Sequence, residues 1–270
     1  MTLNHLDTAM IEINNQKMRL MFHVAITALL LAVPCRAFAA EPKPGTQTAQ
    51  KLTVKAGGKE TAVGYWLFLP KSYDKKKSWP LMLFLHGAGE RGSNLNQVKK
   101  WGPPKRVGEK KDFPFVVISP QCPKNKRWTP SQLHSLVEHI ATSYQIDRSR
   151  LYCTGLSMGG HGTWAMIAKY PKLFAAVIPI CGGGDPDTAK RITGIPIWAF
   201  HGEADRVVPP TRSSSMIEAI KKAGGTKAKL TIYPGVNHNS WSKTYANEKV
   251  YEWLLSHSSK PEKVDEQNTP

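Results

Sequence analysis

Six apolar runs recur along this chain and limit what it can fold into: Pro80 to Leu85, Phe115 to Ser119, Arg150 to Thr154, Ala175 to Ile180, Pro196 to Phe200 and Lys229 to Tyr233. They are nearly continuous rather than alternating. A strand with one wet face alternates apolar and polar residues, so unbroken runs call for a parallel sheet covered on both faces. Helix-like segments separate them. Thr129 to Tyr144 opens with Thr129 as N-cap, Pro130 in the first turn and Gln132 three past the cap, and Leu133, Leu136, Val137 and Ile140 share one face. Met158 to Lys169 stops before Pro171, Thr211 to Ala223 ends at Gly224-Gly225, and Asn247 to Ser256 puts Val250, Trp253 and Leu254 on the sheet side. Upstream, Leu52 to Lys55 and Val63 to Leu69 flank Gly57-Gly58 and read as an opening hairpin. The expected fold is α/β, a mostly parallel eight-stranded sheet with helices on both faces. The Cys181 to Gly194 connection is too short for a large cap domain, so only the longer Gly87 to Pro114 loop is left to shade the strand ends.

The two ends fall outside this pattern. Lys17 and Arg19 precede an apolar stretch from Leu20 to Val33, and Ala37-Phe38-Ala39 offers a small-x-small cleavage site. Residues 1–40 therefore read as a secretory signal peptide cleaved near Ala39 or Ala40. The apolar stretch falls short of the roughly 20 residues of a membrane span, so stable membrane insertion is not expected. Residues 41–50 read as flexible, 51–257 as one domain and 258–270 as a disordered polar tail. The expected location is secreted or periplasmic. Cys122, Cys153 and Cys181 follow the leader, an odd number that makes no disulfide framework, and Cys153 lies within a strand as a core residue. The formal charge of +17 is concentrated in loop clusters such as Lys75-Lys76-Lys77, Lys99-Lys100 and Lys124 to Arg127. A nucleic-acid site would need a coherent groove with aromatic platforms, and no segment supplies one. The charge suits a solvated face, or attraction to anionic envelope or wall polymers.

The chemistry is announced at Gly155-Leu156-Ser157-Met158-Gly159-Gly160, a sharp turn between the Arg150 to Thr154 run and the following helix. Small residues two before and two after the serine let strand and helix approach closely, and the strained turn lifts the hydroxyl above the sheet. Serine is a poor nucleophile at neutral pH and needs a base held by an acid. Asp205 follows the strand ending at Phe200, and His238 follows the strand ending at Tyr233, so acid and base come in the order that such a sheet requires. Asp205 is preferred to Glu203 because it directly precedes the Val207-Val208-Pro209 run that would hold it. Asp185 and Asp187, after the sixth strand, remain rivals. His201 reads as a loop anchor, and His161 is too close to Ser157 in sequence to be the base. Two amides would hold an oxyanion: Met158 N–H, and Ala88 N–H from the glycine-rich His86-Gly87-Ala88-Gly89-Glu90 loop. Trp101, Trp128 and Trp241 lie near enough in sequence to line the site or to shore up its loops. Neutral imidazole is required, so activity is expected to fall below about pH 6 to 7.

Together with Leu85 to Gly92, Ser119-Pro120-Gln121-Cys122-Pro123, Pro179 to Gly184 and Tyr233 to Trp241, these motifs resemble one group of exported α/β-hydrolases. The group is described as phospholipase/carboxylesterase-like, dienelactone-hydrolase-like or predicted peptidases, with feruloyl-esterase-like relatives. The resemblance spans roughly residues 50 to 256. It implies a serine carboxylic-ester hydrolase needing no cofactor and no metal, with Ser157 as nucleophile, Asp205 as acid, His238 as base and Ala88 and Met158 as oxyanion amides. It further implies that Glu90 braces the oxyanion loop beside His86 and Gly87, and that Gln121 lines the cleft. The expected substrate is a short-chain or aromatic ester, small or linked to polysaccharide. Two alternatives stand beside it: a serine peptidase or amidase, and a non-catalytic binding protein that keeps the fold.

Overall fold

Seven residues of β3 (Trp79–Leu85) are all buried, and this strand lies at the centre of the computed structural model, which describes residues 41–56 and 58–259. The proposed leader and residues 260–270 of the tail lie outside the described residues. Eight strands form one sheet in the order β1-β2-β4-β3-β5-β6-β7-β8. β1 (Gln47–Ala56) and β2 (Lys59–Phe68) form an antiparallel hairpin, and β2 pairs antiparallel with β4 (Val116–Pro120). From β4 across β3, β5 (Ile146–Leu156), β6 (Ala176–Ile180), β7 (Ile197–Gly202) and β8 (Ala228–Tyr233), all pairs are parallel. β1 starts at Gln47, inside the segment that the sequence reads as flexible, because its pairing with β2 extends as far as Gln47 opposite Phe68. β5 is also longer than its apolar run, since Trp79 pairs with Ile146 before a register shift.

Alternate side chains of each central strand feed two separate cores, which explains the unbroken apolar runs. Leu81, Leu83, Leu85, Cys153, Val177 and Ile197 pack on one face with Leu136, Ile140, Trp164 and Ile220. Met82, Phe84, Tyr152, Ile178 and Phe200 pack on the other with Val107, Tyr245, Tyr251 and Leu254. The helices are α1 (Gly102–Glu109), α2 (Pro130–Ser143), α3 (Met158–Lys169), α4 (Thr211–Lys222), α5 (Ser240–Ala246) and α6 (Glu248–Leu255). Thr129 occupies the cap of α2 but its side chain makes no capping bond, and Gln132 donates instead to Thr61 Oγ1 on β2. At the end of α4, Gly224 turns at φ +90° and Gly225 N–H reaches the Ile220 carbonyl, as the sequence requires.

Register decides where the site is. Leu85 pairs with Gly155, Leu156 with Ile180, Ile180 with Phe200, and Gly202 with Tyr233. The chain therefore leaves β3, β5, β6, β7 and β8 side by side at their carboxyl ends, where ligands bind in open parallel sheets. The β6–β7 connection holds one short 3-10 turn, Pro186–Arg191. The β3–β4 connection is less of a loop than its sequence suggests: it contains 3-10 turns at Ala88–Glu90 and Leu95–Lys100 and then α1. Arg106 of α1 forms an ion pair with Glu248 of α6, and Lys110 Nζ lies 2.6 Å from the same carboxylate.

Candidate active site

Ser157 sits between β5 and α3 at φ 53°, ψ −114°, a left-handed conformation that costs a non-glycine residue on the order of 1–3 kcal/mol. The turn is tight enough to exclude side chains around it. A Cβ on Gly159 would lie 1.8 Å from the Leu85 carbonyl oxygen, and one on Gly155 would lie 2.4 Å from the Gly159 oxygen. The Ser157 amide donates to Ile180 O at 2.9 Å and approaches Cys181 Sγ at 3.3 Å, which ties the elbow to the end of β6. Cys181 itself has φ 40°, a second strained non-glycine position beside the elbow.

His238 Nε2 lies 2.9 Å from Ser157 Oγ, and His238 Nδ1 lies 2.7 Å from Asp205 Oδ2. The Asp205 side chain is fully buried. Its Oδ1 accepts the Val207 and Val208 amides, both at 2.9 Å. Burial pushes this carboxyl up, but the hydrogen bonds from His238, Val208 and Val207 outweigh it and hold the group below its ordinary value. His201 Nε2 lies 3.2 Å from Asp205 Oδ2 and 2.9 Å from Val208 O, and its Nδ1 lies 2.7 Å from Ser213 Oγ. Burial lowers the pKa of this ring.

The competing carboxylates are occupied elsewhere. Glu203 accepts the Gly235 amide at 2.9 Å, and Asp185 Oδ1 accepts the Asp187 amide at 3.1 Å, capping the Pro186–Arg191 turn. Cys181, Asp205 and His238 place one metal-ligand atom each within 4.8 Å of one another, the one such group among the described residues. Metal ligation needs a thiolate. Burial raises the Cys181 thiol to about 12, its sulfur accepts the Ser157 amide, and Asp205 Oδ2 already faces His238.

The loop carrying Ala88 is exposed at its tip and pinned at its base. His86 is buried, with Nδ1 2.6 Å from Gly87 O and Nε2 accepting the Cys122 amide at 3.0 Å. These bonds fix the neutral Nδ1–H tautomer, and burial lowers the His86 pKa to about 4. Gly92 N donates to Cys122 O. Gln121 Nε2 donates to Glu90 O at 3.0 Å and Asn94 O at 2.8 Å. Trp128 Nε1 donates to His86 O at 3.2 Å and packs edge-on against that ring. Burial raises the Glu90 carboxyl, partly offset by hydrogen bonds from the Gly87 amide and the Trp101 indole. Met158 is the first residue of α3, where an amide has no partner within the helix. Trp241 stands perpendicular to His238 at 5.3 Å between ring centres and meets Trp101 at 6.1 Å. Cys122, Cys153 and Cys181 are all buried and unpaired.

An open, mostly parallel sheet with a strained serine turn at its carboxyl edge defines the class as an α/β-hydrolase fold. Residues 54–255 match the dienelactone hydrolase family, and the chain belongs to that family. By family and fold it is a hydrolase of the carboxylesterase type. It is 22% identical over 256 residues to acetylxylan esterase A of Emericella nidulans, covering 84% of this chain and 77% of that protein. It is also 22% identical over 186 residues to a probable feruloyl esterase C of Aspergillus niger, covering 67% of this chain and 68% of that one. A solved thermostable esterase superposes with a TM-score of 0.66 at 37% identity, over 78% of this chain and 63% of its own. A mutant feruloyl esterase module from Clostridium thermocellum, complexed with sinapinate, has TM-score 0.57 at 18% identity, covering 80% of this chain and 90% of that one. No helix among the described residues is long and apolar enough to cross a membrane.

Proposed function

We propose that the protein is an exported serine carboxylic-ester hydrolase acting on short-chain or aromatic acyl esters, free or attached to polysaccharide. The observation that carries this reading is the hydrogen-bond line from Ser157 Oγ through both nitrogens of His238 to the buried Asp205 carboxylate. Ser157 Oγ attacks the ester carbonyl while its proton passes to His238 Nε2. Asp205, already ionised, keeps Nδ1–H in place and stabilises the imidazolium. The oxyanion is held by the Met158 amide and by Ala88 N–H on its pinned loop, donors that need no reorganisation during the reaction. His238 then protonates the leaving alcohol, and water enters by the reverse path to release the acid and free Ser157. The names of the acetylxylan and feruloyl esterase relatives support acetyl and hydroxycinnamoyl groups on plant polymers as the substrate class. The Lys17 to Ala39 leader pattern supports export.

The test is a panel of p-nitrophenyl acetate, methyl ferulate and a proline-containing peptide amide, scored by kcat/KM on the wild type and on Ser157→Ala. Ester turnover above peptide turnover is expected, with a loss of at least about 10⁴-fold in Ser157→Ala. Faster peptide cleavage would replace the esterase reading with a peptidase one. Ester turnover that survives in Ser157→Ala would remove Ser157 from the chemistry.

A further inference from the structure

Two histidines, not one, meet the acid. His201 lies at the carboxyl end of β7, and its side chain, like that of Asp205, is fully buried. Its Nε2 lies 2.9 Å from Val208 O and 3.2 Å from Asp205 Oδ2, and both neighbours are acceptors. That nitrogen therefore carries a hydrogen whatever the charge on the ring, and shares it between the two oxygens. Val208 in turn donates its amide to Asp205 Oδ1. His201 thus grips the carboxylate at one oxygen and, through the Val208 carbonyl, the turn that holds the other. With the Val207 amide on Oδ1 and His238 Nδ1 on Oδ2, the donors match the roughly four lone-pair sites of a carboxylate.

The far side of the ring is held as firmly. His201 Nδ1 lies 2.7 Å from Ser213 Oγ on α4, and Ser213 Oγ donates to Gly182 O at 2.8 Å. Gly182 follows Cys181, whose sulfur lies 3.3 Å from the Ser157 amide. A Cβ on Gly182 would lie 2.6 Å from the His161 amide nitrogen in the first turn of α3, so this corner has no room to move. Ser157 and Asp205 are therefore joined twice: in front through His238, and behind through His201, Ser213 and the Cys181-Gly182 corner.

The rear connection has a chemical consequence. Every donor on Asp205 spreads the negative charge that would otherwise hold a proton on His238. Other titratable groups surround the pair. Cys181 Sγ lies within 4.8 Å of donor atoms of Asp205 and His238, and His161 on α3 feels the charge of His201, Arg127 and Arg212. Burial keeps Cys181 a thiol across neutral pH and lowers both His161 and His201. In the acid loop, Glu203 accepts the Gly235 amide and Arg206 is exposed.

We infer that His201 is a positioning residue for the reaction: its Nε2–H sets the Asp205 carboxylate and tempers its pull on the His238 proton, keeping neutral imidazole available at lower pH. Being fully buried, it touches no substrate and acts only through Asp205. The catalytic part of this inference rests on the Ser157 reading above; the hydrogen bond itself does not.

Two measurements separate those parts. Proton–nitrogen NMR on full-length wild type labelled at its histidine nitrogens, assigned with His201→Gln and His238→Gln, reads which His201 nitrogen carries the hydrogen. A protonated Nε2 at neutral pH is expected, and a bare Nε2 overturns the inference whether or not the protein hydrolyses esters. Kinetics on p-nitrophenyl acetate read the consequence. His201→Leu fills much of the ring's volume and removes the donor. The acid limb of its kcat/KM profile is expected to move up by about 0.5 pH unit or more, with kcat down about tenfold and KM little changed. His201→Gln, whose amide replaces the lost donor, is expected to bring the limb back and to recover most of kcat. A role in packing alone would lower stability and leave the limb in place, so an unmoved limb in folded His201→Leu overturns the inference. If His201→Leu does not fold, Ser213→Ala takes its place. It loosens the ring from behind and is expected to move the limb the same way by less, and an unmoved limb there overturns the inference too. If ester hydrolysis survives in Ser157→Ala, or is absent from the wild type, the esterase reading falls, and the NMR result still decides whether His201 holds Asp205.

Discussion

Ser157 and Trp241 both reach His238, and they are held there by different means. Ser157 is fixed by backbone: its φ of 53°, its amide bond to Ile180 and the contact between Gly159 and the Leu85 carbonyl leave one arrangement. Trp241 is fixed by side chains from distant segments, packing on His238 on one side and on Trp101 of the β3–β4 connection on the other. The indole nitrogen of Trp241 is buried without an acceptor among the described residues, a cost that the elbow does not carry. A floor built from backbone tolerates almost no substitution, whereas a wall built from ring packing should yield gradually.

The strongest way to break this contrast is at Gly159. Gly159→Ala places a carbon 1.8 Å from a carbonyl oxygen of a central strand, with no flexible side chain to move aside. Loss of soluble, cooperatively folding protein is expected, read by circular dichroism and thermal melting. An active, well-folded variant would show that the elbow is looser than described. Next comes Asp205→Asn, which keeps the volume but turns the carboxylate into an amide facing His238 Nδ1. A loss of roughly 10⁴-fold in kcat with the fold retained is expected.

Trp241→Ala should be milder. It removes the ring that holds the His238 edge while leaving the Asp205 bond, so a loss of about tenfold to a hundredfold in kcat is expected, the range for small misplacement of a catalytic group. Trp241→Phe should recover most of it. A loss as large as that of Asp205→Asn would place Trp241 in the chemistry itself.

The smallest effect is the pH dependence of the pinned loop. The His86 pKa is depressed to about 4, so protons bind the unfolded chain first as pH falls below its ordinary value near 6.5. The stabilisation is fully present above pH 6.5 and is lost progressively between 6.5 and 4. From pH 7 to 5.5 the loss from His86 is about 1.2 kcal/mol, and His161 and His201, also lowered by burial, act in the same direction. Denaturant melts should show this slope, and His86→Gln should flatten it even if it lowers stability at pH 7.

What was legible in the sequence follows the same division. The apolar runs, the elbow and the order of Ser157, Asp205 and His238 are local patterns, and the structure brings those three side chains into one hydrogen-bonded line. The preference for Asp205 over Glu203 came from the Val207-Val208 segment, whose amides do bind its carboxylate. Less legible were α1 and α5. α1 opens with Gly102-Pro103-Pro104, which reads as a loop, and becomes a helix because Pro103, Pro104 and Val107 are buried beneath it. Gln121 reads as a cleft residue and Trp128 as either a site wall or a loop support; the polar atoms of both bind backbone carbonyls of the His86 to Asn94 loop, partners 27 to 42 residues away in sequence. The strain at Cys181 had no local signal, since it arises where the end of β6 meets the elbow.

The central claim is that Ser157 is a nucleophile activated by His238. Folded wild-type protein treated with a fluorophosphonate and digested for peptide mass spectrometry tests it most directly. A single adduct on Ser157, formed rapidly in the wild type and far more slowly in His238→Ala, is the result predicted. An adduct on another residue, or none while ester hydrolysis continues, would contradict it.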